Sequence, residues 1–361
     1  MNETGWRFLN NPMEAWEAML SDCQNARVSI DLNQYIFDVD GIGKKFLDLF
    51  FEKAKHGVRI RLLCDAVGSW NLYNSQYPKK LSEAGIQVMF FNPISPWRLT
   101  NFTSWFFRDH KKLLIVDSQI GHTGSLGVKF QMADWRDTNI RFTGPIVKSM
   151  EACFVGMWET TVKSKFLDLK DDIVPAPGFW YVTNSPILRP MGSQRHIRDS
   201  LIDAIRGARR YIYLTTPYFV PDWGFFRSLR LAARRGVEVI LLLPEFSDLR
   251  SLDIAASSYF GLAFNAGIKI YRYQKTILHT KTAIIDDEWG SVGSANLDNL
   301  SFKFQYEANI VSTNKNFNRE LKQQFLDDLQ FAKVVSPFEW GKRPWRQKVL
   351  ELLTWPAHHF M

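Results

Sequence analysis

The sequence predicts an α/β protein built from two similar halves, each with a mixed, mostly parallel sheet flanked by helices, related by a rough twofold. Three observations support this prediction. Strand-like and helix-like segments alternate, the same order occurs twice, and 46% of the 361 residues are apolar, which is enough for a large core. We expect the halves to cover residues 1–170 and 171–361, because a stretch rich in proline and glycine separates them.

The first half reads as strand, amphipathic helix, buried strand, and then helix and strand. The segments are RVSIDLNQYIF (27–37), GKKFLDLFFEKAKHG (43–57), VRIRLLCD (58–65) and QYPKKLSEAGIQVMFF (76–91). The second half repeats this order in RRYIYLTTPYFV (209–220), DWGFFRSLRLAARRG (222–236), VEVILLLP (237–244) and SSYFGLAFNAGIKIYRY (257–273). Strands joined by helices of this length favour parallel pairing.

Composition limits the partners and the compartment. The formal net charge of +8 favours binding to polyanions, either nucleic acid or an anionic membrane surface. Cys23, Cys64 and Cys153 are few and widely spaced, which favours buried thiols in a reducing compartment. No segment reaches the ~18–20 apolar residues of a membrane-spanning helix. We therefore expect a cytoplasmic protein, or one bound peripherally to the cytoplasmic side of the cell membrane.

One polar motif occurs in both halves, first in RDHKKLLIVD (108–117) and again in LHTKTAIIDD (278–287). Its first copy consists of His110, Lys112, Asp117, Gly124 and Ser125; its second copy consists of His279, Lys281, Asp286, Gly293 and Ser294, and continues to Asn296. A histidine and a lysine two residues apart on a strand point to the same face. Two related halves therefore bring two imidazoles and two ammonium groups to one place.

This set of groups suits a reaction on phosphorus. One imidazole attacks the phosphorus atom while the other protonates the leaving oxygen. Both lysines, Ser125, Ser294 and Asn296 can donate hydrogen bonds to phosphate oxygens, and no metal site is indicated. Each imidazole needs an orienting group, and Asp137 and Glu307 follow the two histidines at similar offsets. Either carboxylate could instead form a surface ion pair.

The two motifs resemble the signature H-x-K-x₄-D-x₆-G-S-x-N of the phospholipase D superfamily, over nearly the whole chain. The resemblance implies the phospholipase D fold, one active site between the halves, a phosphohistidine intermediate and no cofactor. It implies that His110 is the nucleophile, and that His279 acts first as general acid and then as general base. It also pairs His110 with Glu307 and His279 with Asp137, and it makes Asp117 and Asp286 supporting residues.

Further segments, including TTPYFVPD (215–222) and FQYEANI (304–310), are similar to the bacterial cardiolipin synthase branch, in particular to its shorter members that attach peripherally. This similarity implies a phosphatidyltransferase that makes cardiolipin from phosphatidylglycerol and a second phospholipid. The expected partners are anionic phospholipid and the membrane surface, and no nucleic acid. The first motif departs from the pattern, because Gly127 stands where asparagine is expected.

Three other functions stay open at this point. The same residues could hydrolyse phospholipids to phosphatidic acid, because only the exclusion of water separates transfer from hydrolysis. A nuclease is less favoured, because single-stranded nucleic acid binding calls for aromatic residues spaced along a basic groove. A catalytically silent membrane-binding relative is the third, and Gly127 is its sequence support. The sequence leaves the acceptor lipid and the oligomeric state open.

Two segments could contact lipid. The insert at residues 93–108 is aromatic and basic, containing Trp97, Arg98, Phe102, Trp105, Phe106, Phe107 and Arg108. It either lies at a lipid headgroup boundary or covers the core between the halves. The C-terminal residues 341–361 predict a short basic amphipathic helix, which is either a membrane contact or a packed tail.

Overall fold

The computed structural model describes residues 3–94, 107–164, 175–186 and 196–354, and it has the predicted two-part α/β organisation. The first elements in chain order are β1 (Gly5–Leu9), α1 (Pro12–Asn25), β2 (Ser29–Gln34), α2 (Gly41–Lys55), β3 (Arg59–Asp65), α3 (Trp70–Tyr73), α4 (Tyr77–Glu83), β4 (Gln87–Phe91), β5 (Arg108–Asp109), β6 (Lys112–Val116), β7 (Ile120–Gly124), β8 (Asn139–Thr143), α5 (Ile146–Val162) and β9 (Phe179–Asn184).

The chain continues with the elements of the second half. These are α6 (His196–Gly207), β10 (Tyr211–Thr215), β11 (Phe219–Val220), α7 (Trp223–Arg234), β12 (Glu238–Pro244), α8 (Arg250–Ser257), α9 (Phe260–Phe264), β13 (Lys269–Tyr273), β14 (Thr282–Ile285), β15 (Trp289–Gly293), β16 (Leu297–Asp298), α10 (Asn299–Lys303), β17 (Gln305–Ser312), α11 (Lys315–Leu329), β18 (Ala332–Val334), α12 (Pro337–Gly341) and α13 (Trp345–Thr354). All eight segments read from the sequence contain the predicted helices and strands.

The two large sheets have similar strand orders. The first is β1-β8-β7-β6-β2-β3-β4, and the second is β18-β13-β12-β10-β14-β15-β17-β5, with β9 paired to β17. In the first sheet β2, β3 and β4 are parallel, and in the second sheet β10, β12 and β13 are parallel. β5 comes from the first half of the chain but pairs with β17 in the second sheet. The halves are therefore joined by strand pairing as well as by packing.

The prediction of mostly parallel sheets is wrong, because antiparallel neighbours outnumber parallel ones in both sheets among the described strands. The cause is a tight turn after each motif strand. Asp117 and Ser118 turn β6 into β7 with φ of 53° and 54°, and Asp286 and Asp287 turn β14 into β15 with φ of 55° and 63°. Short polar residues tolerate this left-handed region better than most. Each turn makes a hairpin, and hairpin strands pair antiparallel.

The apolar core continues from one half to the other. One cluster lies under the first-half helices, one lies under the second-half helices, and a third joins the two sheets to α5 and α11. The third cluster includes Leu113 and Ile140 from the first sheet, and Ile284 and Ile310 from the second. Interiors packed in this way resist deformation. Groups at the junction of the two sheets are therefore held in fixed relative positions.

Cys23, Cys64 and Cys153 are buried free thiols, as predicted. The predicted boundary between residues 170 and 171 lies outside the described residues. At the C-terminus the predicted helix is present as α13, and residues 355–361 lie outside the described residues. Just before α13, Trp340 packs on Phe260 with ring centroids 4.9 Å apart, which favours a packed tail over a membrane contact there. Across the described ranges, no helix is both long enough and apolar enough to cross a membrane.

Candidate active site

Each motif histidine is hydrogen-bonded through its backbone N–H to a backbone carbonyl of the opposite half. The backbone N–H of His110 donates to the carbonyl of Tyr306 at 2.9 Å, and the N–H of His279 donates to the carbonyl of Arg136 at 2.8 Å. Tyr306 and Arg136 directly precede the carboxylates Glu307 and Asp137. These two equivalent hydrogen bonds set each histidine beside a carboxylate from the other half.

The side chains make the same crossed pairs. His110 Nδ1 donates to Glu307 Oε1 at 3.0 Å, and His279 Nδ1 donates to Asp137 Oδ2 at 2.9 Å. We assign this tautomer because both carboxylates are fully buried acceptors. It leaves Nε2 of His110 without a proton and able to act as nucleophile, and it leaves Nε2 of His279 able to carry a proton as an acid or to accept one as a base. The pairing implied by the family resemblance is thus present in the structure.

Each motif lysine is folded back over its histidine. Lys112 Nζ donates to the carbonyl of His110 at 2.6 Å, and Lys281 Nζ donates to that of His279 at 2.8 Å. Lys281 Nζ also lies 3.1 Å from Nε2 of His279. The ammonium group of Lys281 therefore lies on the Nε2 side of its imidazole, and that of Lys112 makes the equivalent contact with the backbone of its own histidine.

Burial dominates the electrostatics of the site. It lowers the pKa of Lys112 to about 7 and that of Lys281 to about 8. It also lowers the pKa of His110 well below its usual value, and the charges of Lys112, Lys281 and His279 lower it further. Because groups of the second motif act on a histidine of the first, both motifs belong to one site. The ammonium forms of Lys112 and Lys281 supply the positive charge that can bind an anion.

The two carboxylates differ in their pKa. Burial raises the pKa of Glu307 to about 7, against the opposing effect of Lys112. Burial also favours protonation of Asp137, but its hydrogen bond with His279 and nearby positive charges hold the pKa of Asp137 below its usual range. The second histidine therefore has a permanently ionised partner, whereas the partner of the first titrates near neutral pH.

The structure corrects the predicted role of the two motif serines. The hydroxyl of Ser125 donates to Asp137, and that of Ser294 donates to Glu307. Their hydrogens are thus directed at the carboxylates and not at a phosphate. The serines hold the second oxygen of each carboxylate, so that the first oxygen stays on the histidine. This places them one layer behind the reacting groups.

Asp117 and Asp286 lie at the far ends of β6 and β14, away from the histidines. Their carboxylates accept the backbone N–H groups that begin β2 and β10, from Arg27, Val28 and Ser29 in the first half and from Arg209, Arg210 and Tyr211 in the second. They therefore support the fold, as the resemblance implies, and their inclusion among the catalytic residues is corrected.

The position of the missing asparagine is tightly packed in the first half. A Cβ atom on Gly127 would lie 3.1 Å from Cβ of Ile36 and 3.3 Å from its carbonyl oxygen. The carbonyl of Gly127 also accepts a hydrogen bond from Trp16 Nε1 at 3.0 Å. In the second half Asn296 is buried, and its Oδ1 has no hydrogen-bond partner among the described residues. At this motif position, only the second half therefore has a side-chain amide.

Sequence reasoning missed the ionic layer beneath His110. Lys111 and Asp109 form a fully buried ion pair at 2.6 Å, and Lys111 lies over the ring of Tyr306. The N–H of Asp109 donates to Asp65 at 3.0 Å, which ties β5 back to the first sheet. The signal was the run of charges RDHKK next to an apolar strand. A run of charges of this length usually indicates a solvated surface, and only the structure shows that these charged residues are buried.

Two aromatic rings next to the histidines were also missed. Tyr35 contacts His110 with ring centroids 4.7 Å apart, and Trp135 contacts His279 at 5.2 Å. Both rings shield one side of an imidazole. Neither residue belongs to the repeated motif, so spacing alone had no means of finding them.

The insert at residues 93–108 is described only at its two ends, residues 93–94 and 107–108. Trp97, Arg98, Phe102, Trp105 and Phe106 lie outside the described residues. Phe107 and Arg108 are buried, and Phe107 packs against Phe304. For these two residues, covering the core is the correct interpretation. Within the described ranges, no three or more His, Cys, Asp or Glu side chains are grouped to hold a metal ion.

Comparison with known proteins identifies the family. The family described as "Cardiolipin synthase, PLD-like domain" matches residues 19–158 and 201–329, which include both motifs. The chain belongs to this family. It is 32% identical over 349 residues to the probable cardiolipin synthase YwiE of Bacillus subtilis, covering 93% of this chain and 68% of that protein. It is also 33% identical over 339 residues to cardiolipin synthase A of Pseudomonas fluorescens, covering 92% and 70%.

Solved structures show the same fold. Phosphatidylserine synthase from Haemophilus influenzae aligns with a TM-score of 0.77 over 98% of this chain and 92% of its own, at 14% identity. Polyphosphate kinase from Porphyromonas gingivalis aligns with a TM-score of 0.64 over 99% of this chain and 53% of its own, at 12% identity. At these identities the likeness concerns the fold alone, and it confirms the predicted phospholipase D fold class.

Proposed function

We propose that this chain is a phosphatidyltransferase that forms cardiolipin from phosphatidylglycerol and a second phospholipid, at a site between its halves 1–170 and 171–361. One observation carries the proposal: each motif histidine is oriented by a buried carboxylate of the opposite half and has a lysine beside it. The names of the curated relatives supply the substrate class.

In the first step Nε2 of His110 attacks the phosphorus atom of phosphatidylglycerol. A nitrogen–phosphorus bond forms and the bond to the glycerol oxygen breaks, while protonated His279 gives its Nε2 proton to that oxygen. The ammonium groups of Lys112 and Lys281 and the amide of Asn296 bind the non-bridging oxygens. Glycerol leaves, and the phosphatidyl group stays on His110.

In the second step a hydroxyl group of the acceptor lipid attacks the same phosphorus atom. Its proton passes to Nε2 of His279, and the nitrogen–phosphorus bond to His110 breaks. The cycle returns both imidazoles to their starting protonation states. Glu307 stabilises the positive charge that develops on His110 in the first step, and Asp137 does the same for His279 whenever it is protonated.

We also propose that the protein binds peripherally to the cytoplasmic side of the membrane through the edge that carries the site. Four exposed aromatic residues follow the ends of strands that stop at this edge: Trp70, Phe130, Trp223 and Phe246. Two come from each half, and aromatic rings favour the lipid headgroup region. The net charge of +8 favours an anionic surface.

The direct test is to incubate the purified protein with phosphatidylglycerol vesicles and to analyse lipids and released glycerol by mass spectrometry. We expect cardiolipin and glycerol in equal amounts, neither product from His110→Ala, and from His279→Ala no cardiolipin and at most one glycerol per protein molecule. His56→Ala, which changes an exposed histidine on α2's C-terminal side, is the matched control and should retain full activity. Phosphatidic acid as the main product would indicate hydrolysis and contradict the transferase assignment.

A further inference from the structure

The two halves carry different residues at one equivalent position in the loop after their second parallel strand. Four residues beyond the end of β3 the first half has Ser69, and four residues beyond the end of β12 the second half has Asp248. The hydroxyl of Ser69 is engaged by the backbone, because it donates to the Tyr35 carbonyl and accepts the Phe37 N–H, both at 2.9 Å. Asp248 is exposed to solvent instead. The second half therefore presents a carboxylate where the first half has a structural hydroxyl.

Asp248 is held in one orientation. The phenol of Tyr218, whose ring belongs to the second-half core, donates to Asp248 Oδ1 at 2.5 Å. The preceding residue is also fixed, because Ser247 N–H donates to Asp253 at 3.0 Å and its hydroxyl donates to the Leu249 carbonyl at 3.0 Å. Over the described ranges no further hydrogen bond reaches this carboxylate. Its second oxygen, Oδ2, is a positioned acceptor open to a ligand.

This acceptor lies on the side of the site that His279 serves. β10 and β12 end at the edge where β14 begins, because Thr215 at the end of β10 pairs with Thr282 at the start of β14. The negative charge of Asp248 also acts on the second motif: it raises the pKa values of His279 and Lys281 against the larger, lowering effect of burial. Under the proposed function His279 is the residue that handles the alcohol oxygen.

We infer that Asp248, oriented by Tyr218, forms a subsite for a polyol, in which Oδ2 accepts a hydrogen bond from a hydroxyl group next to the oxygen that His279 serves. The inference rests on the proposed function. The leaving glycerol and the glycerol headgroup of an accepting phosphatidylglycerol both have such a second hydroxyl, so one subsite serves both steps. Water and simple alcohols lack it. An ammonium headgroup would also pair with a carboxylate, but it would bring a second positive charge close to Lys281.

The test is a competition between acceptors. Purified protein receives phosphatidylglycerol in mixed micelles with equal concentrations of deuterated glycerol, 1-propanol and ethanolamine, and the three phosphatidyl products are counted by mass spectrometry. For Asp248→Ala we expect the ratio of glycerol to propanol product to fall about tenfold, as for the loss of one hydrogen bond to a charged acceptor. The effect of the Asp248 charge on His279 is common to both acceptors and cancels in this ratio.

Two further variants complete the design. Tyr218→Phe should lower the same ratio about threefold, because it frees the carboxylate to rotate. Glu288→Gln, which changes an exposed carboxylate in the turn between β14 and β15 at the opposite edge, should leave the ratio unchanged.

An unchanged ratio in Asp248→Ala would overturn the inference alone. A selective loss of ethanolamine product, with the glycerol to propanol ratio retained, would also overturn it and assign Asp248 to an ammonium group. A wild-type protein that forms no phosphatidyl product at all would overturn the proposed function itself.

Discussion

Replacing Glu307 by glutamine changes one atom of the pair that activates the proposed nucleophile. Glu307 Oε1 accepts from His110 Nδ1 at 3.0 Å and Oε2 accepts from the hydroxyl of Ser294 at 2.5 Å. Glutamine has the same shape but only one acceptor oxygen. If its amide NH₂ faces the imidazole, the His110 proton must move from Nδ1 to Nε2, the atom that attacks phosphorus.

We expect a large loss of kcat and a small loss of stability. In the serine protease triad the equivalent carboxylate-to-amide change lowers kcat by about 10⁴, because it stabilises the wrong tautomer. We expect a fall of about 10³–10⁴ here, equivalent to about 4–5.5 kcal/mol in the activation barrier. Stability should hardly change, because burial already disfavours the charged form of Glu307, as its raised pKa of about 7 shows.

The assay is single-turnover release of glycerol from labelled phosphatidylglycerol, with the melting temperature measured in parallel. Glu288→Gln removes an exposed carboxylate far from the site and should leave both measurements unchanged. A Glu307→Gln protein that folds normally and keeps kcat within tenfold of wild type would refute the proposed role of this carboxylate.

Three other predictions concern the pH profile, the tightly packed position of Gly127 and the membrane edge. The rate as kcat/KM should fall as pH drops through about 7, where Glu307 becomes protonated. It should also fall as pH rises through about 7 and about 8, where Lys112 and then Lys281 lose their charge, so the maximum is narrow and lies near neutral pH; stopped assays at constant ionic strength measure both limbs. Gly127→Asn should cost about 1–3 kcal/mol of stability by overpacking against Ile36 and should not raise activity, as thermal unfolding and the cardiolipin assay will report; a more active, equally stable protein would contradict tight packing at this position. Trp223→Ser should weaken sedimentation with anionic vesicles at least about tenfold, whereas Leu231→Ser, at the other end of α7, should have little effect; equal losses would argue against the proposed edge.

Much of the fold could be predicted because both copies of the repeat have local hydrophobic periodicities that indicate their strands and helices. Alternating and helical periodicities located β2, α2, β3 and their second-half counterparts, and the identical spacing of His110–Ser125 and His279–Ser294 indicated a shared site. The direction of strand pairing could not be predicted in this way. It depends on turns at Asp117 and Asp286, whose positive φ values are a matter of backbone geometry and leave no periodic signal.

The identity of most residues in the candidate site could be predicted, but their hydrogen-bond partners were less predictable. Family resemblance supplied the crossed pairs of histidine and carboxylate. The serines were assigned to phosphate because a hydroxyl group commonly donates to phosphate. In the structure each serine donates to a carboxylate instead, and the sequence does not reveal this contact. Lys111 was overlooked because a buried lysine is rare unless its partner is known, and here the partner, Asp109, lies two residues away.

The central claim is that His110 carries the phosphatidyl group between two half-reactions in which His279 moves the proton. The most direct measurement is to quench the protein with radiolabelled phosphatidylglycerol, digest it and locate the label by mass spectrometry. We predict an acid-labile adduct on His110 that builds up in His279→Ala after a slow first step and is absent from His110→Ala. Label found on the peptide of His279 instead, or cardiolipin formed with inversion of configuration at phosphorus, would contradict the claim.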